Sequence, residues 1–275
     1  MDATTKGTTE KNNDAEGVPV LIRSNAGMVA TLTMNRPEKF NALSVNLLAA
    51  LQEQLDAIGR DPSIRVVILA GAGKAFCTGH DLKEIRENPG RQASDALFRQ
   101  CAEVMLTMTR IPQPVIARVH GVATAAGCQL VATCDLAVAA EDARFAVSGV
   151  NLGLFCSTPM VALSRNLPRK QAMEMLLTGS FIDAETALRY GLVNRVVPRD
   201  RLDAATAELA NAVASKSPAA IALGKGLFYR QLEASLQAAY ELANETMTCN
   251  MLTEDAQAGI DAFIAKRPPP EWKGR

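Results

Sequence analysis

Residues 118–135 read RVHGVATAAGCQLVATCD, and the fold turns on how this stretch is parsed. An apolar strand, Pro114-Val115-Ile116-Ala117, runs into it and breaks at Gly121. Tiny residues follow (Ala123, Thr124, Ala125, Ala126, Gly127), and then an apolar helix with Leu130, Val131 and Ala132 before Cys134-Asp135. Small residues at a strand-to-helix junction let a ligand approach the backbone closely. The first N–H groups of a helix have no internal partner and point outward at the positive end of its dipole. Such a junction can hold a carbonyl oxygen that is gaining negative charge. The same residues also suit plain tight packing of helix on sheet.

The surroundings read as alternating strands and helices. Two apolar stretches, 18–23 and 28–34, flank the turn cluster Ser24-Asn25-Ala26-Gly27 and predict an N-terminal hairpin. Ser44 is placed as the N-cap of a helix to about residue 58, with Leu47, Leu48, Leu51 and Leu55 at helical spacing. Val66-Val67-Ile68-Leu69 is a continuous apolar run, as expected of a strand buried on both faces. A second loop-to-helix junction follows at residues 76–85, where Thr78 and Asp81 have capping-box spacing. Another helix is expected over 92–109, and a further strand at 136–139. This order indicates βαβ units and a mostly parallel sheet. Residues 200–266 give no strand signal and read as three or four helices, whose apolar residues have no sheet left to cover them and point to burial against other subunits.

Composition narrows the function classes. Lys+Arg and Asp+Glu balance at 29 each in 275 residues, so no basic excess points to nucleic acid or an anionic membrane. No apolar run approaches the roughly 20 residues a bilayer span needs. Six cysteines form no C-x-x-C pair and the histidines are His80 and His120, so zinc spacing is absent and no metal is expected. The cysteines mostly sit in apolar runs and read as small core residues. Residues 1–17 are polar, with acids and no arginine, and read as a disordered tail rather than a mitochondrial presequence, which places the protein in the cytoplasm.

The two junctions, each rich in small residues and about 46 positions apart, can each aim one backbone N–H at a common point. An oxyanion hole needs two such donors from separate elements. With Asn35-Arg36-Pro37-Glu38-Lys39-Phe40-Asn41-Ala42-Leu43, Ala75-Phe76-Cys77-Thr78-Gly79-His80-Asp81-Leu82-Lys83-Glu84 and the stretch from Gly121 to Asp135, the chain resembles the crotonase superfamily, the enoyl-CoA hydratases and isomerases. The similarity covers roughly residues 18–268. The strings GHDLKE, GVNLGLFCSTP and PRKQAMEMLLTG look like its enoyl-CoA hydratase domain-containing branch.

The resemblance implies an α/β fold, a crotonase-type spiral of ββα units over residues 18–198. A C-terminal helical trimerisation module would occupy 199–275, giving a homotrimer or a hexamer built as a dimer of trimers. It implies an acyl-CoA substrate, with coenzyme A as part of that substrate and no separate cofactor. The oxyanion hole falls at the N–H groups of His80 and Ala126. Ala42, His80, Asp81, Leu82, Lys83, Ala126, Phe263 and Lys266 are the implied substrate and CoA contacts, Lys266 from its own or a neighbouring subunit. The His80 imidazole is expected to fill space rather than act as a base, and His120 to be packed and hydrogen-bonded.

Hydratases of the family use two glutamates, and here those positions carry Gln129 and Gly149. Neither exchanges a proton at neutral pH. Reversible hydration of a trans-2-enoyl-CoA is therefore expected to be weakened, unless Asp142, Ser148, Asn151, Cys156 or Ser157 substitutes. Glutamates introduced at 129 and 149 are expected to raise it. Other reactions of a CoA thioester (hydrolysis, isomerisation, decarboxylation) and a non-catalytic acyl-CoA-binding role remain as alternatives.

Overall fold

Val66-Val67-Ile68-Leu69 forms the buried centre of the molecule in a computed structural model, which describes Gly17 and residues 19–275. The expected tail thus lies outside the described residues, except for Gly17. A hairpin of β1 (Leu21–Ala26) and β2 (Val29–Met34) is followed by α1 (Val45–Gly59), β3 (Val66–Gly71), α2 (Leu82–Glu87) and α3 (Arg91–Arg110). The middle carries β4 (Val115–Val119), β5 (Val122–Thr124), α4 (Ala126–Thr133), β6 (Leu136–Ala140) and β7 (Arg144–Ala146). Next come α5 (Ser157–Asn166), α6 (Arg169–Thr178), β8 (Ile182–Asp183), α7 (Ala184–Tyr190) and β9 (Arg195–Val197). The remainder is helical: α8 (Leu202–Ala214), α9 (Pro218–Gln231), α10 (Leu236–Met251) and α11 (Glu254–Ile264).

The larger sheet runs in the order β1-β2-β3-β4-β6-β9 and the smaller in the order β5-β7-β8. β1 pairs antiparallel with β2, and every later pairing in the larger sheet is parallel. Successive turns of chain therefore place one strand in each sheet before a helix: β4, β5, α4, then β6, β7, α5. This is the repeated ββα pattern. α1 packs Leu47, Leu48, Leu51, Leu55 and Ile58 into the main core, and Ser44 caps it by accepting the Leu47 N–H at 3.1 Å.

The capping box read at Thr78 is corrected. Asp81 is itself the N-cap of α2, accepting from the Lys83 and Glu84 N–H groups, while the Thr78 hydroxyl turns to the Phe40 carbonyl. Residues 77–81 are held extended instead. Cys77 bridges to Ala123 in parallel register on one side, and His80 to Leu43 on the other. Tertiary pairing overrides the local helix-start signal here.

Helix α9 is tied to the core by a buried ammonium. Lys225 Nζ donates to the carbonyls of Met108 (2.7 Å) and Gln113 (2.8 Å) and to Asp135 Oδ2 (2.7 Å). The Tyr229 hydroxyl donates to Asp135 Oδ1 at 2.8 Å, and the Val115 N–H reaches Oδ2 at 2.7 Å. The last residue before β6 thereby fixes α9 against the start of β4.

Candidate active site

The direction of the His80 N–H follows from how its neighbours pair. Leu43 donates its N–H to the Gly79 carbonyl at 2.7 Å and accepts the Asp81 N–H at 3.0 Å. In a parallel pairing of that kind the residue between, His80, presents its own N–H and C=O to the opposite side. Asp81 is locked in turn by Arg36, a 2.9 Å ion pair with little exposure of either side chain. Burial raises the Asp81 carboxyl, but the Arg36 guanidinium and the N–H groups of Glu84 and Lys83 outweigh it and hold it below the usual range. Arg36 also donates to the Ala42 carbonyl, and Asn41 donates to the carbonyls of Ala72 and Ala75 at 2.8 Å each. The 35–43 motif is thus the frame that sets the 79–81 backbone.

The second junction is brought against the first by glycines. The Cys77 N–H donates to the Val122 carbonyl (3.1 Å) and the Cys77 carbonyl accepts from Thr124 (3.0 Å), so 77–81 runs alongside β5. A Cβ on Gly127 would lie 2.0 Å from the Cys77 carbonyl oxygen, which only glycine avoids. A Cβ on Gly79, whose φ is +92°, would lie 2.9 Å from Ala125 Cβ and 3.3 Å from the Ala126 nitrogen. Ala125 carries φ 51° and ψ −121°, a conformation that favours glycine, and it turns the chain sharply from β5 into α4. Its N–H goes to the Ala146 carbonyl, and its own carbonyl accepts the Gln129 N–H. Ala126 is then the first residue of α4, and its nitrogen lies close to Gly79, the residue before His80. The two junctions therefore touch, one of them at a helix start with its dipole. A helix start among small residues is a setting that can favour a carbonyl oxygen developing negative charge.

Around this point the side chains are of mixed kinds. Gln129 is 4% exposed, and its Oε1 is buried without a hydrogen-bond partner. Both ring nitrogens of His80 are likewise buried without partners, and the ring stands edge-on to Phe98 of α3 with centroids 5.5 Å apart. Burial pushes the His80 pKa down, and the Leu43 carbonyl, near the ring but outside hydrogen-bonding geometry and already taken by the Asp81 N–H, opposes it. His120 is bonded as expected, with Nε2 2.9 Å from the Gly73 carbonyl. Burial pushes the thiols of Cys77, Cys101 and Cys128 up to about 12, so they stay protonated at neutral pH and are no nucleophiles.

Gly149 lies in the short 3-10 turn Ser148–Leu152. A Cβ there would lie 2.6 Å from the Leu154 carbonyl oxygen and 2.7 Å from Cys156 Sγ, and the Gly149 N–H itself points at that sulfur, 3.3 Å away. The geometry weighs against the glutamate expected to help at 149, because a side chain there needs the loop carbonyl and the thiol to move. Ser148 pairs its hydroxyl with Thr124 at 3.0 Å, and Asp142 is held by Arg199, so both are engaged elsewhere.

The implied CoA contacts divide into two groups. Lys83 shares a cleft of about 270 Å³ with Arg36, Lys39, Asp81, Glu84 and Glu87, so its charge sits among both signs. Leu82 is exposed beside it. Phe263 and Lys266 stand at the exposed end of α11, which packs on α9 and α10. Gly79, Ala125, Leu43, Arg36 and Asp81 all lie in the quoted motifs, but no local signal gives the contact of Gly79 with Ala125 or joins residues 36 and 81.

This fold and this paired junction define a class that comparison identifies. Residues 24–275 match the model of the enoyl-CoA hydratase/isomerase family, and the chain belongs to that family, with its crotonase fold. It is 46% identical over 241 residues to enoyl-CoA hydratase domain-containing protein 3, mitochondrial, of Mus musculus, covering 88% of this chain and 80% of that one. The crystal structure of an enoyl-CoA hydratase from Mycobacterium smegmatis superposes with a TM-score of 0.90 at 55% identity, covering 92% and 98% of the two chains. The human enoyl-CoA hydratase domain-containing protein 3 structure does so at 0.89 and 43%, covering 91% and 99%.

The cytoplasmic placement is corrected by the same comparison. The mouse and human relatives are both named mitochondrial, against the cytoplasmic expectation. The placement rested on the composition of residues 1–17, nearly all outside the described structure, and composition alone does not fix a compartment.

Proposed function

We propose that the chain binds an acyl-CoA thioester and holds its carbonyl oxygen between the N–H groups of His80 and Ala126. The observation that supports this reading is the contact of the two junctions at Gly79 and Ala125. Withdrawing a proton from the carbon next to a thioester, or adding a nucleophile one carbon further on, places negative charge on that oxygen. Fixed donors stabilise the resulting enolate without reorganising, and one such donor is worth about 10²–10³ in rate. The residues 80–83 run along the CoA moiety, with Ala42 behind them. Lys83 and Lys266 meet its phosphates, and Phe263 lies on the same face of approach. Coenzyme A arrives as part of the substrate, and no separate cofactor is needed for this chemistry.

The nominal reaction is reversible hydration of a trans-2-enoyl-CoA. It needs groups that pass protons, each contributing about 10²–10⁴. Gln129 orients a water or hydroxyl but moves no proton, and the place of a second carboxylate is closed by Leu154 and Cys156. That closure favours a second reading, in which the chain binds acyl-CoA with weak hydration or with a different thioester reaction. The test is to measure acyl-CoA binding by calorimetry while following a short enoyl-CoA for loss of its conjugated absorbance and for any other product. The expected result is binding with slow hydration. Absence of binding at millimolar ligand would overturn the acyl-CoA reading. Rapid hydration would overturn the inference from Gln129 and Gly149.

A further inference from the structure

Helix α11 carries Phe263 and ends just before Lys266, yet it buries little apolar surface against its own chain. Asp255 and Ala262 are its buried residues, while Ile260, Phe263 and Ile264 are exposed by 40%, 84% and 73%. A helix of 11 residues is marginal by itself, and one alanine is a small anchor for it. Its attachment is polar instead. Asp255 Oδ2 accepts from the Ser217 hydroxyl (2.6 Å) and the Gly274 N–H (3.0 Å), and Oδ1 accepts from the Lys273 N–H (2.7 Å). The Asp255 N–H donates in return to the Arg275 carbonyl at 3.1 Å.

The chain meets Asp255 this second time by doubling back. Lys266 has a left-handed φ of 52° and reverses the direction at the end of α11, and Pro268-Pro269-Pro270 stiffen the return run. Trp272 then lies on α11 at Gly259, where a Cβ would come within 3.1 Å of the indole ring. The indole N–H donates to the Ser215 carbonyl at the end of α8 (2.9 Å). Arg65, just before β3, donates to the carbonyls of Trp272 and Ala214 at 3.2 Å each. Ser217 is the N-cap of α9. Residues 272–275 thus tie the start of α11 to α8, α9 and β3, and Lys266 sits at the bend between the helix and its tie.

We infer that residues 272–275 form a latch that holds α11 in place, and that opening it releases α11 as a unit and draws Phe263 and Lys266 away from the acyl-CoA. The consequence for the ligand rests on the acyl-CoA reading above; the latch itself does not. Local opening of this kind is drawn from elements with few buried apolar contacts, and α11 is one.

Trp272 is the single tryptophan of the chain, so its emission reads the latch directly. Asp255→Asn keeps the size of the side chain but presents an amide N–H where the latch needs an acceptor. In that variant the emission is expected to shift to the red as the indole meets water. Amides of α11 are expected to exchange hydrogen about tenfold faster or more, the worth of one charge-assisted hydrogen bond, while those of α1 and β3 keep their protection. Affinity for butyryl-CoA, measured by calorimetry, is expected to fall. Trp272→Phe lacks the bond to Ser215 and tests the latch from its other end, with α11 exchange expected to rise about fivefold. Unchanged α11 exchange in both variants overturns the latch and leaves the acyl-CoA reading intact. Loss of protection throughout the chain overturns α11 as a separate unit. Release of α11 with butyryl-CoA affinity unchanged overturns the link to the ligand. Absence of butyryl-CoA binding by the wild type at millimolar concentration overturns the acyl-CoA reading and leaves the latch standing.

Discussion

Gly149 and Gln129 occupy two positions of one reaction but differ in what each can regain. Gln129 already has a side chain of the right length, and glutamate there needs no new volume. Its buried setting would also raise the carboxyl pKa toward neutrality, which suits proton transfer. Gln129→Glu is therefore expected to raise the rate of hydration of a short enoyl-CoA by about 10²-fold, at the low end of what one acid–base group supplies. Gly149→Glu is expected to raise nothing and to lower stability by about 1–3 kcal/mol, since its Cβ meets a carbonyl oxygen and a thiol. Parallel hydration assays and urea titrations decide it; a faster Gly149→Glu enzyme would show that the loop yields. The two histidines give a second prediction at this scale. Burial lowers the pKa of both His80 and His120 from 6.5. The unfolded chain then takes up protons that the folded chain refuses. Stability held above pH 6.5 is lost as pH falls from there toward the depressed folded values. Urea midpoints should fall between pH 7.5 and pH 5.5, and by less in His80→Phe. An identical fall in that variant would remove His80 from the account.

Helix α9 shows what one buried contact does for an element. Lys225 satisfies two carbonyls and Asp135 at once, in a site that is closed to water. Burial pushes its pKa down and Asp135 opposes this, so the ammonium persists through its partner. Lys225→Met would leave Asp135 with the Tyr229 hydroxyl and the Val115 N–H alone, and strand the carbonyls of Met108 and Gln113. The expected cost is about 3–5 kcal/mol, the usual result of removing one member of a buried pair. Urea unfolding measures it, and a loss below about 1 kcal/mol would show that α9 is held by apolar packing instead. None of this is legible in sequence, because Lys225 and Asp135 are 90 positions apart and each alone reads as a surface charge. The long helices were legible. α1 and α3 repeat their apolar residues at helical spacing over several turns, and Ser44 and Ser235 mark the starts of α1 and α10 as caps. Short elements were not. β5 and β7 have three residues each, too few to display a period of two, and they exist only because they pair with one another. The extended run 77–81 carried a helix-start signal that pairing with Leu43 and Ala123 overruled. The candidate site shows the same division. The small-residue runs announced two junctions, while the contact that makes them one site depended on glycines and on Arg36 meeting Asp81.

The whole molecule leaves one face unexplained by its own fold. Along α10, Leu236, Tyr240, Met247 and Met251 fall on a single helical stripe, and all four are exposed, Leu236 by 77%. Phe228 and Leu232 extend that stripe on α9, which packs beside α10. At the end of α11, Phe263 is 84% exposed. A stripe of large apolar side chains of this length is uncommon on a monomer and typical of a surface buried between subunits. No net charge keeps copies apart, since acids and bases balance across the chain. We propose that this face joins copies of the chain into a trimer or a hexamer, which also brings Lys266 of one copy within range of another copy's CoA site. Light scattering is expected to give three or six times the 29.3 kDa chain mass. Leu236→Glu combined with Tyr240→Glu places two charges at the centre of the stripe, which oligomers desolvate at high cost. That variant is expected to shift to smaller species with its helical content unchanged. If Lys266 acts across the interface, its acyl-CoA affinity falls with the shift, at dilutions where the wild type keeps both. A wild-type monomer would remove the subunit account of the stripe, and dissociation without loss of affinity would return Lys266 to its own chain's ligand or to solvent.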